Sequence, residues 1–440
     1  VSELAEERQQ PRILARPEHP VSRADISENA LKVLYRLHGS SFLAYLVGGA
    51  VRDLLLGRRP KDFDVGTNAR PQQVRRLFHN ARLIGRRFRL AHVRFADEIV
   101  EVATFRRSAT TDESEAAEEQ DALAPIAESE EFGTPEEDAW RRDFTVNALF
   151  YNIADFSVVD YVGGLEDLEA GVIRSVGPAS RRFLEDPVRM MRAVEYAARL
   201  GFEIEPATAN ALFALTGEIR RAAPARIAYE LMESLTGGQA LEIFRGLADV
   251  GLLSLILPEV SAGLRGSRPD LVWKLLRLAD ARAARGTPLR PDTLLGLLFL
   301  PSFLDRAGAW EEGGLRRREL ERTVREYLDP PATRLSLSNF RAHVLRHAFL
   351  LLARLSAPPA SVKSVVRALR QEAFPTAWEL MELLTETTGA FEAERDAWRS
   401  AKERVERGLP PLQERPVGGS KRGKRRRRRR SRGEKPEEVS

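Results

Sequence analysis

The chain has 440 residues, 43% of them hydrophobic, and no cysteine. That length holds two or three domains with a sizeable core, and the lack of thiols excludes a disulfide framework and a thiolate metal site. A formal net charge of +5 hides a segregation: Asp112–Asp138 has twelve acidic and no basic residues, whereas Lys421–Ser440 has eleven Lys/Arg against three Glu.

Residues 1–25 begin VSELAEERQQPRILARPEHP, lack the apolar run of a secretory signal and read as a loosely held extension. ISENALKVLYRLHGS (26–40) predicts an amphipathic helix with Ala30, Leu31, Leu34 and Leu37 on one side and Ser27 or Asp25 as cap. SFLAYLVGG (41–49) predicts a strand entering a glycine turn, AVRDLLLG (50–57) a short helix, and KDFDVGT (61–67) a second strand. PQQVRRLFHN (71–80) predicts a helix with proline at its first position, and FRLAHVRFADEIVEVATFRR (88–107) a β-hairpin turning at ADE. Residues 108–138 read as a long acidic loop, and FTVNALFYNIADFSVVDYVGG (144–164) as a helix-like start followed by a strand. From Leu184 onward helical periodicity dominates, including EDPVRMMRAVEYAARLG (185–201); Trp273 and Phe340 read as core residues. TLLGLLFLPSFL (293–304) is too short for a bilayer and contains Pro301, so a soluble, cytoplasmic protein is expected.

The expected fold class is α+β. A head with a small mixed β-sheet flanked by helices spans 26–160, with the acidic loop 108–138 inside it. An all-α neck (161–218) and body (219–408) follow, then a disordered Arg/Lys-rich tail (409–440). A basic body with a basic tail suits a polyanionic partner, most simply nucleic acid.

The chemistry concentrates in LVGGAVRDLLLGRRPKDFDVGTNA (46–69). On a strand, Asp62 and Asp64 present two carboxylates to one face about 7 Å apart, with Phe63 turned to the core. Like charges that close call for a cation, and Mg²⁺, which carboxylates share with substrate phosphates, is the natural one. The bland alternative has Asp62 capping a turn and Asp64 merely solvated. Gly48 and Gly49, between a strand and a helix, offer backbone N–H groups to an anion, and Arg52 adds a cation one turn in. Glycines, arginine and an Asp-x-Asp strand together make a composite phosphate-plus-metal site.

This stretch resembles the class II branch of the polymerase β-like nucleotidyltransferases, which contains bacterial poly(A) polymerases and CCA-adding tRNA nucleotidyltransferases. The likeness continues in order through EVATFR (101–106), RRDFTVNALFYN (141–152), DYVGGLEDLEAGVIRSVG (160–177) and EDPVRMMRAVEYAARLGF (185–202), covering roughly residues 27–260. The resemblance implies that Asp62 and Asp64 hold catalytic Mg²⁺, with Mn²⁺ as an alternative. It offers Asp143 as the preferred third carboxylate and Glu101 as the other candidate. It implies that Arg52 and Arg142 hold a triphosphate, while Arg141 is free instead to pair with the acidic loop. Two-metal in-line phosphoryl transfer is the implied mechanism.

The resemblance also assigns recognition of the nucleotide base to Asp186 and Arg189, with Arg192 nearby. At 100° per residue, Glu185, Asp186, Arg189 and Arg192 fall within about 120° of one helix face. A carboxylate accepting from an exocyclic amino group and an arginine donating to a ring nitrogen suit the edge of A or C. An N-cap at Asp186 with Pro187 at N1 accounts for the same residues without a ligand.

LIGRRFRLAHV (83–93) resembles the signature that separates bacterial poly(A) polymerases from CCA-adding enzymes, and Arg86, Arg87 and Arg89 there are expected to face RNA. The tail KRGKRRRRRRSRGEK (421–435), with Lys421, Arg422, Lys424 and Arg425 at its start, resembles the basic extension common in the former group and suits salt-dependent phosphate binding. The expected activity is template-independent addition of AMP from ATP to RNA 3′ ends with release of pyrophosphate, in RNA processing and decay. The alternative is CCA addition to tRNA with CTP and ATP. Expected partners are RNA 3′ ends and RNA-decay or RNA-chaperone proteins, with the chain a monomer. The acidic segment departs from the family pattern and suits an internal mimic of nucleic acid.

Overall fold

The computed structural model describes residues 10–85, 90–107, 132–307 and 317–407. Its amino-terminal part is built on an eight-stranded sheet in the order β1-β8-β7-β2-β3-β6-β5-β4. The strands are β1 (Arg12–Leu14), β2 (Ala44–Val47), β3 (Asp64–Thr67), β4 (Ala81–Ile84), β5 (Leu90–Arg94), β6 (Ile99–Thr104), β7 (Leu149–Asn152) and β8 (Val158–Asp160). Strand β2 runs antiparallel to both β3 and β7, whereas β3 and β6 are parallel, joined through a helix and the β4–β5 hairpin.

Alternation along the strands gives the sheet two apolar faces. Leu46, Val65, Val93 and Val102 pack on the side of helix α1 (Glu28–Gly39) with Leu34 and Leu37. Tyr45, Val47, Phe105, Phe150 and Val159 form a separate cluster on the opposite side, with Tyr45 and Phe105 meeting edge to face at 5.9 Å. Ser27 caps α1 by accepting from the Ala30 amide at 3.1 Å. Helix α2 (Gly49–Leu55) follows β2 directly, and α3 (Pro71–Leu77) begins on its proline as the sequence predicts. The hairpin over 88–107 is the β5–β6 pair.

Several expectations change. Residues 1–25 are not merely an extension, because β1 pairs with β8, Val21 is buried, and the His19 ring bonds the Phe156 carbonyl at 2.9 Å. The sheet therefore begins before residue 26. The strand expected over 61–67 starts only at Asp64, and 144–164 holds two strands, β7 and β8, rather than one. The acidic segment ends in a helix, α4 (Pro135–Trp140), started by a Thr134 cap and Pro135. The helix read over 185–201 is broken: Pro187 forces Asp186 into an extended conformation (φ −146°, ψ 92°), so α6 (Ala179–Glu185) ends before it and α7 (Arg189–Leu200) starts after it. Between α4 and α6 lies α5 (Gly164–Ala170).

From Ala179 onward the described chain is helical apart from β10 (Glu203–Ile204), which pairs with β9 (Val172–Ile173). The apolar run 293–304 lies within the buried helix Pro291–Ala307, and among the described residues no helix is long and apolar enough to cross a membrane. Trp273 packs against the core, but Phe340 is 55% exposed and is not a core residue.

Candidate active site

Strand β2 delivers Gly48 to the sheet end, where its amide donates to the Leu149 carbonyl at 3.0 Å. Gly48 turns with φ 73° and ψ −136°, a conformation closed to side-chain-bearing residues, and α2 begins at Gly49. The absent side chain leaves room for Arg142, whose Nη1 would lie 2.8 Å from a Cβ at position 48. Arg142 is held there by donation to Asp138 Oδ2 (3.0 Å) and to the Asn147 carbonyl (3.2 Å), with its guanidinium 5.3 Å from the Phe150 ring centre. Its Nε is buried and has no hydrogen-bond partner among the described residues. Arg141 donates to the other oxygen of Asp138 (3.4 Å). Of the acidic segment, Asp138 is thus a buried anchor for two arginines; residues 108–131 lie outside the described residues.

Asp64 is the first residue of β3 and stands opposite Val47 on one side and Glu101 on the other. Phe63 is buried, while Asp62 and Asp64 are exposed, so the alternation the sequence predicts persists although Asp62 precedes the strand. Cross-strand partners share a face, which puts Glu101 about 5 Å from Asp64 backbone to backbone. Glu101 in turn meets His92 across β5, Nε2 to Oε1 at 3.1 Å. The Asp64 carboxylate is reachable by water yet hemmed in by protein. That crowding, with Glu101 and Asp62 nearby and only Arg142 opposing them, pushes its pKa up to about 6.

Neither Asp62 nor Asp64 accepts a hydrogen bond or ion pair among the described residues. Two uncompensated carboxylates one residue apart, beside a third, are a donor set that fits a hard divalent cation with oxygen ligands. No tight group of three or more His, Asp or Glu side chains closes around one point among the described residues. The pair Asp62–Asp64 therefore carries the fit, with Glu101 adjacent.

Asp143, the preferred third carboxylate from the sequence, is directed elsewhere. Its Oδ2 accepts from Arg192 Nε at 2.8 Å, and Oδ1 accepts from the Phe144 amide (2.8 Å) and Asn147 Nδ2 (3.2 Å). Burial alone would raise this carboxyl, but Arg192 and those hydrogen bonds outweigh it and hold it below the usual range. Arg192 also faces Glu230 (3.4 Å) and donates to Tyr196 (2.7 Å), so its guanidinium is engaged by Asp143, by its own helix and by the helix that carries Glu230.

Arg52 is likewise committed. It is 4% exposed, pairs with Asp53 through Nη2 at 2.7 Å, donates to Asn147 and lies over the Tyr196 ring at 5.3 Å. Direct contact with a triphosphate, expected from the sequence, would require it to leave these partners. Asn147 links Arg52, Arg142 and Asp143; sequence reasoning missed it and Asp138, and only their place within and beside RRDFTVN hinted at either.

Because the helix breaks at Pro187, Glu185, Asp186, Arg189 and Arg192 do not form one helical face. Glu185 receives Arg181 and Arg182, Asp186 receives Arg226 Nη2 at 3.0 Å, and Arg189 lies 3.6 Å from Glu185. Asp186 closes α6 and is not the N-cap of α7. Arg86, Arg87, Arg89 and Lys421, Arg422, Lys424 and Arg425 lie outside the described residues.

A mixed sheet with an uncompensated Asp-x-Asp at its end, followed by a helical neck and body, is the plan of a nucleotidyltransferase. Residues 44–174 match the family described as Poly A polymerase head domain, and residues 201–264 the one described as Probable RNA and SrmB- binding site of polymerase A. Poly(A) polymerase I of Escherichia coli O157:H7 is 39% identical over 90% of this chain and 86% of its own length. That of Haemophilus influenzae is 34% identical over 86% and 85%. A CCA-adding enzyme of Leuconostoc mesenteroides is 38% identical, but over 48% of this chain and 50% of its own. In fold the chain resembles a tRNA nucleotidyltransferase solved with a primer tRNA and an incoming ATP analog (TM-score 0.54, 22% identity, 86% of this chain and 99% of that one). It also resembles an apo form of a CCA-adding enzyme (TM-score 0.58, 20% identity, 92% and 89%). The chain belongs to the bacterial poly(A) polymerase I family.

Proposed function

We propose that this chain is a template-independent poly(A) polymerase that transfers AMP from ATP to an RNA 3′ end. The RNA 3′-hydroxyl oxygen forms a bond to the α-phosphorus, the bond to the β-phosphate oxygen breaks, pyrophosphate leaves, and the hydroxyl proton is lost to solvent. The observation that carries this reading is the uncompensated Asp62–Asp64 pair next to the Gly48 turn and Arg142. The full-length likeness to poly(A) polymerase I, against half-length likeness to the CCA-adding enzyme, supports ATP over a CTP–ATP programme.

Asp62 and Asp64 would hold Mg²⁺ or Mn²⁺, and Glu101 takes the third carboxylate role in place of Asp143. Bound there, the cations would acidify the 3′-hydroxyl and neutralise the leaving pyrophosphate. Gly48 and Gly49 let the triphosphate approach the backbone, and Arg142 supplies positive charge beside it. Arg52, Asn147 and Asp138 position that turn and that guanidinium. Asp186 and Arg189, at the break between α6 and α7, are proposed to read the adenine edge. Arg86, Arg87, Arg89 and the run from Lys421 are proposed to hold RNA phosphates. A monomer in the cytoplasm, working with RNA-decay or RNA-chaperone proteins, completes the reading.

The test is extension of an unstructured RNA with Mg²⁺ and each nucleoside triphosphate alone. Long tails with ATP only are expected. Strict dependence on tRNA with use of CTP would replace this reading by CCA addition, and no extension would remove the enzymatic reading.

A further inference from the structure

Helix Pro224–Thr236 turns one face toward α7, the turn before it and the chain that enters β3. Arg226 reaches Asp186 (3.0 Å), Glu230 reaches Arg192 (3.4 Å), and Glu233 reaches Lys61, the residue before Asp62, at 2.8 Å. Positions 226, 230 and 233 recur at helical spacing and share one side, and 229 falls between them. Tyr229 is nevertheless 61% exposed, and its hydroxyl has no hydrogen-bond partner among the described residues. A large aromatic ring is thus left uncovered on a face that is otherwise tied down by ion pairs.

Its surroundings place it on a definite flank of the site. Tyr229 stands one helical turn before Glu233, whose carboxylate holds Lys61, the neighbour of Asp62, at 2.8 Å, so the ring lies along the side of the helix that meets the chain entering β3. Asp64 is bordered on its β2 side by the Gly48–Arg142 seat and on its β6 side by Glu101. The triphosphate is assigned to the first side, which leaves the second to the attacking strand. An exposed ring beside carboxylates suits a nucleobase, because every base offers a π face. Stacking also tolerates any terminal base, as untemplated extension of diverse RNAs requires.

We propose that Tyr229 is the platform on which the 3′-terminal base of the RNA stacks, holding the terminal hydroxyl toward Asp62 and Asp64. The proposal rests on the polymerase reading above and adds a positioning residue to it.

The test uses the full chain, a short oligoadenylate, and the same oligonucleotide with an abasic 3′-terminal nucleotide. Affinity is measured without ATP, in enough salt to suppress phosphate-only binding. For the native chain, removing the terminal base is expected to weaken binding about tenfold, the size of one base–aromatic stack. Tyr229→Ala should lose about the same factor with the intact RNA and show no further loss with the abasic one. Tyr229→Phe should behave as the native chain. In extension assays Tyr229→Ala should raise KM for RNA and lower kcat, because the terminal hydroxyl is no longer held in place, while KM for ATP stays within about twofold. An equal abasic penalty in the native chain and in Tyr229→Ala would overturn the proposal, as would a Phe variant as weak as the Ala variant. The binding arm does not depend on turnover, so failure of the native chain to extend RNA with ATP would count against the polymerase reading separately.

Discussion

The guanidinium of Arg142 fills the space that a side chain at Gly48 would need, with Nη1 2.8 Å from the position of a Cβ there. The turn and the arginine are therefore one device: the glycine permits the positive φ and the cation closes over it. Gly48→Ala must accept a strained conformation, worth about 1–3 kcal/mol, and also displace Arg142. The variant should unfold at a lower temperature and show a raised KM for ATP, measured by thermal melting and by ATP titration of extension. Native KM in a folded Gly48→Ala protein would separate the turn from the triphosphate.

In the proposed reading Glu101 takes the third carboxylate role in place of Asp143, and the two residues predict different losses. Asp143→Ala leaves Arg192 with Glu230 and Tyr196 but strips the Phe144 amide and Asn147 of their acceptor, and should cost about 1–3 kcal/mol of stability. Glu101→Gln weakens the half-buried pair with His92 and relieves the repulsion with Asp64, should leave stability within about 1 kcal/mol, and should lower AMP transfer by at least tenfold. Thermal melting and single-turnover extension of both variants read the difference.

The Asp143 pair also carries a pH dependence. Its folded-state pKa is held below the ordinary 3.8, so the unfolded chain takes up the proton first. The stability it contributes is complete above the unfolded value and is lost as pH falls through the lowered one. The gap in melting temperature between the native chain and Asp143→Asn should be widest near neutrality and shrink in acid below the carboxylate range.

Asp64 has the opposite sign. Its pKa is raised from 3.8 to about 6, so between those values the folded chain binds the proton more tightly. In a chelator, that carboxylate should subtract stability as pH rises from about 4 to 6. Asp64→Asn should therefore melt higher than the native chain at pH 7 and match it at pH 4, while losing AMP transfer.

How far the sequence led can be judged from particular residues. The Ser27 cap, the proline-started α3, the β5–β6 hairpin and the exposure of Asp62 and Asp64 around buried Phe63 all follow from local patterns and are found. The grouping of Asp186 with Arg192 assumed an unbroken helix, and the rule that proline drives its predecessor out of the helical region was present in the sequence but given too little weight. The commitments of Arg52 to Asn147, Arg142 to Asp138 and Asp143 to Arg192 join residues 95, 4 and 49 positions apart. The two longer links depend on packing between elements, which periodicity does not report. Strand β1 was missed because three residues at the sheet edge carry too short an alternation to stand out.

The most direct measurement concerns Asp62, which accepts no hydrogen bond or ion pair among the described residues. AMP transfer to an oligonucleotide and RNA affinity are to be measured together for Asp62→Ala. Loss of transfer with near-native affinity and melting temperature is the predicted result. Retained transfer, or affinity and folding lost in parallel, would contradict the assignment of these carboxylates to catalysis.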